Sequence, residues 1–178
     1  MSPRRICVRA ASRHPGPTAL MPIEPFDWLG RVLTHFATAE RAIGQLCITL
    51  DLPVDKGPLS RLQELCDILA RSSDRRSQAL LRRIERWRSL RPLRHLLAHA
   101  SIMVVHDGAG NRFIVTRHLP LDRYDVTPDR LWTEAECREL LRVANNDGRS
   151  IADQIRNLLQ NSTALAQLKP PTPAASGA

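Results

Sequence analysis

Phe26-Asp-Trp-Leu-Gly-Arg-Val-Leu-Thr-His-Phe-Ala-Thr-Ala-Glu-Arg-Ala-Ile-Gly-Gln-Leu-Cys-Ile-Thr-Leu50 is the stretch that decides the fold. Leu29, Val32, Leu33, Phe36, Ala39, Ile43, Leu46, Cys47 and Leu50 recur at three- and four-residue steps. That period predicts one long amphipathic helix over residues 26–50, whose apolar stripe must be covered by other helices. Pro25 and Asp27 mark its start. Glu40 breaks the stripe, because it shares a face with Phe36, Ile43 and Cys47 and so points inward or to the border. A carboxylate there needs a partner, since a buried unpaired charge is costly. An ion pair with an arginine, or an edge position in water, accounts for Glu40 before catalysis does.

Working outward, Asp51 to Pro58 is a connector rich in turn residues. Leu59, Leu62, Leu65, Cys66, Ile68 and Leu69 define a second helix that ends near Ser72-Ser73. A third helix is expected from about Asp74, with Leu80, Leu81, Ile84 and Trp87 as its buried stripe. Between residues 71 and 94 nine arginines (71, 75, 76, 82, 83, 86, 88, 91 and 94) are opposed only by Asp74 and Glu85. So lopsided a face is read as phosphate-attracting, with Arg83, Arg86 and Arg88 as candidate RNA contacts. Pro92 removes a backbone donor and disfavours helical geometry at Arg91, which predicts a kink there.

Beyond the kink the chain reads Arg91-Pro-Leu-Arg-His-Leu-Leu-Ala-His99. Arg91, His95 and His99 would share one face by four-residue spacing, whereas Arg94 and His99 lie about 140° apart on an ideal helix. Neither set closes a site within one chain, so a second copy of the helix is a natural source of the missing groups.

Ile102–Val105 and Arg112–Thr116 are β-branched runs around His106-Asp107-Gly108-Ala109-Gly110-Asn111, which predicts a β-hairpin leaning on the bundle. His106 and His118 read as loop histidines, and residues 119–131 as irregular. Thr133-Glu134-Ala135-Glu136 is a capping box. Leu140, Leu141, Ala144, Ile151, Ile155, Leu158 and Leu159 continue one helical phase to about Asn161, with Gly148 on the apolar stripe where it permits close packing or a kink.

The expected architecture is therefore all-α: an up-and-down bundle of four to five helices with a small β-hairpin inserted after the Arg91–His99 helix. Residues 1–22 are expected to be a disordered basic leader, with Met21 as a plausible start. Residues 23–162 form the helical domain and residues 163–178 a disordered tail.

The whole chain has 178 residues, 43% hydrophobic and 25% charged, which suits a single domain. Lys and Arg number 26 against 18 Asp and Glu, giving a formal charge of +8. All of the basic residues except Lys56 and Lys169 are arginine, whose planar fork matches phosphate, although a GC-rich genome would produce the same bias. Cys7, Cys47, Cys66 and Cys137 are scattered without ligand spacing and read as reduced thiols of a cytoplasmic protein. No apolar run approaches the roughly 20 residues of a membrane span. There is no glycine-rich phosphate loop, no Gly-x-Ser-x-Gly and no His-Glu-x-x-His, so neither metal nor cofactor is expected.

The run Leu93-Arg94-His95-Leu96-Leu97-Ala98-His99-Ala100 resembles the signature of the HEPN superfamily: an Arg, a polar residue, three more residues and a His, commonly ending Leu-Ala-His-Gly. Ala100 departs from that ending, and His95 is a permitted variant of the polar position. The placement agrees over roughly residues 26–160, with an acidic residue on the first helix and a long final helix. The resemblance implies a homodimer with a composite site, His99 as the proton-transfer group, Arg94 as phosphate and transition-state ligand, and His95 as the assisting polar residue. Glu40 and Arg91 would support them. It also implies metal-independent cleavage of RNA to 2′,3′-cyclic phosphate and 5′-hydroxyl ends, in a toxin, antiviral abortive-infection or RNA-processing role, with an antitoxin or regulatory protein as a further partner. The chemistry is sound on its own terms, because histidine, with a reference pKa of about 6.5, can move the protons and arginine can hold the phosphate. A non-catalytic helical module binding RNA, nucleotide or protein is the alternative. In a third reading Arg94 and His99 merely cap and pair within the bundle.

Overall fold

The periodicities of the sequence become six helices and three strands in the computed structural model, which describes residues 21–53, 57–118 and 129–169. In chain order these are α1 (Pro25–Thr49), α2 (Gly57–Arg71), α3 (Arg75–Ser89), α4 (Arg91–His99), β1 (Ala100–His106), β2 (Arg112–His118), β3 (Arg130–Thr133), α5 (Glu134–Gln160) and α6 (Ser162–Leu168). The chain is mostly helical and carries a small antiparallel sheet. Most of the leader and of the tail lies outside the described residues, as does the connector at residues 54–56. Residues 163–168, expected to belong to the tail, are helical: Asn161 caps α6 by accepting from the Ala164 amide at 3.0 Å, and Leu168 is buried.

Helix α1 is the spine. Its buried residues Val32, Phe36, Ala39, Ile43, Leu46 and Cys47 fall on the stripe read from the sequence; Trp28 joins them, whereas Leu29 and Leu33 are half-buried. Helix α5 lies along it and runs parallel to it. Trp28 Nε1 donates to the Cys137 carbonyl at 2.9 Å near the start of both helices, His35 meets Gly148 halfway, and Ala42 lies beside Ile155 further on. Gly148 is required there, because a Cβ at that position would stand 2.6 Å from the His35 carbonyl oxygen. The missing side chain lets two helix backbones touch without a kink.

Two local signals act as read. Asp74 caps α3 by accepting from the Ser77 amide at 2.9 Å. Thr133 and Glu136 form the reciprocal capping box of α5. The expected kink at Pro92 is a full break: α3 ends at Ser89, Leu90 joins the two helices, and Pro92 sits in the first turn of α4, where a proline costs no helical hydrogen bond.

The hairpin pairs Ala100 with His118 through His106 with Arg112. In its turn Asp107 accepts from the Ala109 and Asn111 amides, and Gly110 takes φ 84°. The sheet has a third strand, however, and this corrects the two-stranded expectation. Residues 130–133 lie within or beside the segment read as irregular, yet they pair with β2 so that Trp132 stands opposite Ile114. Trp132 is buried against Trp28 at 5.4 Å, and its Nε1 donates to Thr116 at 2.9 Å. A four-residue strand is too short for alternation to reveal; burial of one large aromatic ring defines it. Among the described residues no helix is long and apolar enough to cross a membrane.

Candidate functional site

Helix α4 presents its polar residues in two directions. Leu96 and Leu97 are buried and fix its rotation about its own axis. That rotation turns Arg94 toward α1, where its Nη2 donates to Glu40 at 3.2 Å and its Nε lies 3.1 Å from the other carboxylate oxygen. The pairing is two-pronged, which fixes the guanidinium plane as well as its position. Both side chains are about one-third exposed, at 37% and 34%, so the pair stands at the rim of the core with one guanidinium edge open. Glu40 thus has the arginine partner that its inward placement demanded.

His95 and His99 are both exposed, one turn apart, with ring centroids 4.7 Å from each other and planes inclined at 52°. The four-residue spacing brings these two together as expected. Arg94 and His99 are not brought onto a common face.

Beside Arg94 a cleft of about 730 Å³ opens between α1, α2, α3 and α4. Arg91, Arg94 and His95 enter it from α4, Glu40 and Gly44 from α1, Arg61 from α2 and Trp87 from α3. Its cationic groups outnumber the single carboxylate, and Ile43, Leu62 and Pro92 give it an apolar wall. Arg61 was not singled out in the sequence, where it is one arginine among many beside Leu62.

The three candidate phosphate contacts on α3 fare differently. Arg86 is committed to α5: its Nε donates to Asp147 at 3.0 Å and its Nη2 makes a second contact with the same carboxylate. Asp147 is only 3% exposed, and its hydrogen bonds raise the Arg86 pKa above its ordinary value. Arg86 is therefore a structural group rather than the free surface cation expected. Arg88 reaches back to the Gln63 carbonyl oxygen at 2.7 Å and remains exposed, and Arg83 is half-buried. Asp147 could have been found, since it adjoins Gly148 and falls on the apolar stripe of α5.

Cys47, Cys66 and Cys137 are buried and unpaired. Burial pushes all three thiols up, Cys137 to about 12, so none is an activated nucleophile. Among the described residues no three His, Cys, Asp or Glu side chains come together as a metal-ligand group. Comparison with known proteins gives no matching family model, curated protein or solved structure.

Proposed function

We propose that this chain is a metal-independent endoribonuclease of HEPN type that acts in the cytoplasm as a toxin, abortive-infection effector or RNA-processing factor. The observation that carries the reading is the pairing of Arg94 with Glu40 on the same short helix that exposes His95 and His99 together. RNA cleavage by transfer within the chain needs a base for the 2′-hydroxyl, a proton for the departing 5′-oxygen and positive charge at the phosphorus. His99 takes one proton-transfer role, with His95 beside it. Arg94, oriented by Glu40, offers its open edge to a phosphate oxygen. The products are a 2′,3′-cyclic phosphate and a 5′-hydroxyl.

A single copy exposes the imidazoles on one side only. In this reading two copies of α4 face each other in a homodimer, each supplying what the other lacks, and the basic face of α3 steers RNA toward them. An antitoxin or regulatory protein would act by covering that cleft. The test is cleavage of RNA in EDTA by wild type and by His99→Ala. Wild-type activity with a loss of at least about a hundredfold in the variant is the expected result, and equal cleavage by the two would overturn it.

The engagement of Arg94 by Glu40 also favours a second reading, in which the chain binds RNA, nucleotide or protein without cutting. There the purified protein would retain intact RNA with steep salt dependence.

A further inference from the structure

The cleft beside Arg94 collects unmet hydrogen-bond donors. Four buried side-chain polar atoms have no protein partner among the described residues: Arg61 Nε, Arg61 Nη2, Trp87 Nε1 and Gln154 Oε1. Three of the four belong to residues that line this one cleft. All three are donors, and two are on a permanent cation. The contrast with Arg86 is direct, because that guanidinium has a carboxylate on a neighbouring helix, whereas the one carboxylate lining this cleft, Glu40, is already engaged by Arg94. A partly buried guanidinium without an acceptor is destabilising, and so is a buried indole N–H. Neither group improves the fold as it stands.

An incoming oxyanion would satisfy both. Arg61, Arg91 and Arg94 bring three positive charges against one from Glu40, leaving the cleft suited to a dianion. The remaining wall is apolar, and Gly44 leaves open space where any other residue would project, with no atom within 4 Å of its would-be Cβ. The volume, about 730 Å³, accommodates an organic body as well as an anionic head.

We propose that this cleft binds a phosphate monoester, with the phosphate accepting from Arg61 and the Trp87 indole N–H, and the organic portion lying against Ile43, Leu62, Pro92 and the space above Gly44. The phosphate contacts come from α2 and α3 side chains, and the site does not depend on the His95–His99 pair cutting RNA. The monoester is either a free phosphorylated small molecule or the terminal phosphate of an RNA, and both present the same head group.

Calorimetric titration of the full chain separates these cases. The probes are inorganic phosphate, phenyl phosphate, and a short RNA carrying either a 5′-phosphate or a 5′-hydroxyl. The variants are Arg61→Met, Gly44→Leu and His99→Ala. Phenyl phosphate or the 5′-phosphorylated RNA should bind more tightly than inorganic phosphate, and whichever binds tighter identifies the source. Arg61→Met should weaken binding at least about tenfold while leaving the melting temperature equal or higher, which a merely structural arginine would not do. Gly44→Leu should weaken phenyl phosphate more than inorganic phosphate, and it keeps the proposal testable if Arg61→Met fails to fold. His99→Ala should bind phenyl phosphate as wild type, because His99 does not line the cleft. Failure of both monoesters to bind, or binding that survives both cleft substitutions, would overturn the site. Loss of RNA cleavage in His99→Ala without loss of binding bears on the nuclease reading alone.

Discussion

Helix α1 is packed on two sides by opposite means. Against α5 it makes a close seam, in which Trp28 donates to the Cys137 carbonyl, Ala42 lies beside Ile155, and Gly148 brings the backbones together at His35. Against α4 it makes an open seam, with Glu40 and Arg94 at the rim and a cleft beside them. At Gly148 the first seam leaves no room for a side chain. The second leaves polar groups partly in water beside a cleft of about 730 Å³, as expected where a chain gives up packing for a site. The difference predicts that substitutions at the first seam are read as stability and those at the second as activity or binding.

The largest effect is expected at Gly148. Alanine usually stabilises a helix by about 1 kcal/mol over glycine, but here the added carbon would stand 2.6 Å from a backbone oxygen that belongs to the spine itself. The clash outweighs the propensity. Gly148→Val should lower unfolding free energy by about 3 kcal/mol, measured by chemical denaturation, and an unchanged midpoint would show that α1 and α5 can slide apart.

Arg86 comes next. Removing it strands the Asp147 carboxylate, which is 3% exposed, while the guanidinium itself is mostly in solvent. Discounting for that exposure, Arg86→Met should cost about 2 kcal/mol, against less than about 0.5 kcal/mol for Arg83→Met. A double variant with Asp147→Leu should recover most of the loss. Equal effects at Arg86 and Arg83 would place both on the basic face and remove the Asp147 anchor from the account.

The two seams were not equally legible. The close one could be read because 3.6-residue periodicity reports burial, and the stripes of α1 and α5 were both continuous. Even Gly148 stood out as a gap on an apolar face. The parallel course of the two helices was not readable, since it depends on how far the sheet carries the chain before Thr133. Strand β3 escaped because four residues cannot display a period. At the open seam, Glu40 announced itself by breaking a stripe, and His95 and His99 by their spacing. Arg61 and Arg86 gave no such signal: Arg61 is an ordinary polar position beside Leu62, Arg86 is one of many arginines on α3, and the carboxylate that Arg86 finds lies on α5, more than 60 residues further on. Composition records how many cations there are, but tertiary contact decides which of them are free.

At the open seam the balance between stability and activity should reverse. A half-exposed ion pair contributes about 1 kcal/mol or less, so Glu40→Gln should hardly move the denaturation midpoint. It should still lower RNA cleavage by about tenfold, because Arg94 loses the two-point contact that sets its orientation. A large stability loss without a change in cleavage would make the Glu40–Arg94 pair structural, like Arg86–Asp147.

The smallest effect tests whether the close seam senses pH. The His35 pKa lies below its ordinary value of 6.5, first through burial and then through the nearby Arg149 and Arg31 cations. The unfolded chain therefore binds the His35 proton more readily than the folded one. The contribution is fully present above the unfolded value and is lost as pH falls through the folded value. Carboxylates with lowered values, such as Asp74 and Glu136, respond at lower pH and leave this window to histidine. His35→Gln should flatten the fall in melting temperature between about pH 7.5 and about pH 5 while leaving the value near pH 7.5 unchanged within about a degree. An identical slope in the variant would mean that the imidazole swings clear of the seam on protonation, and that only the backbone of His35 belongs to the contact with Gly148.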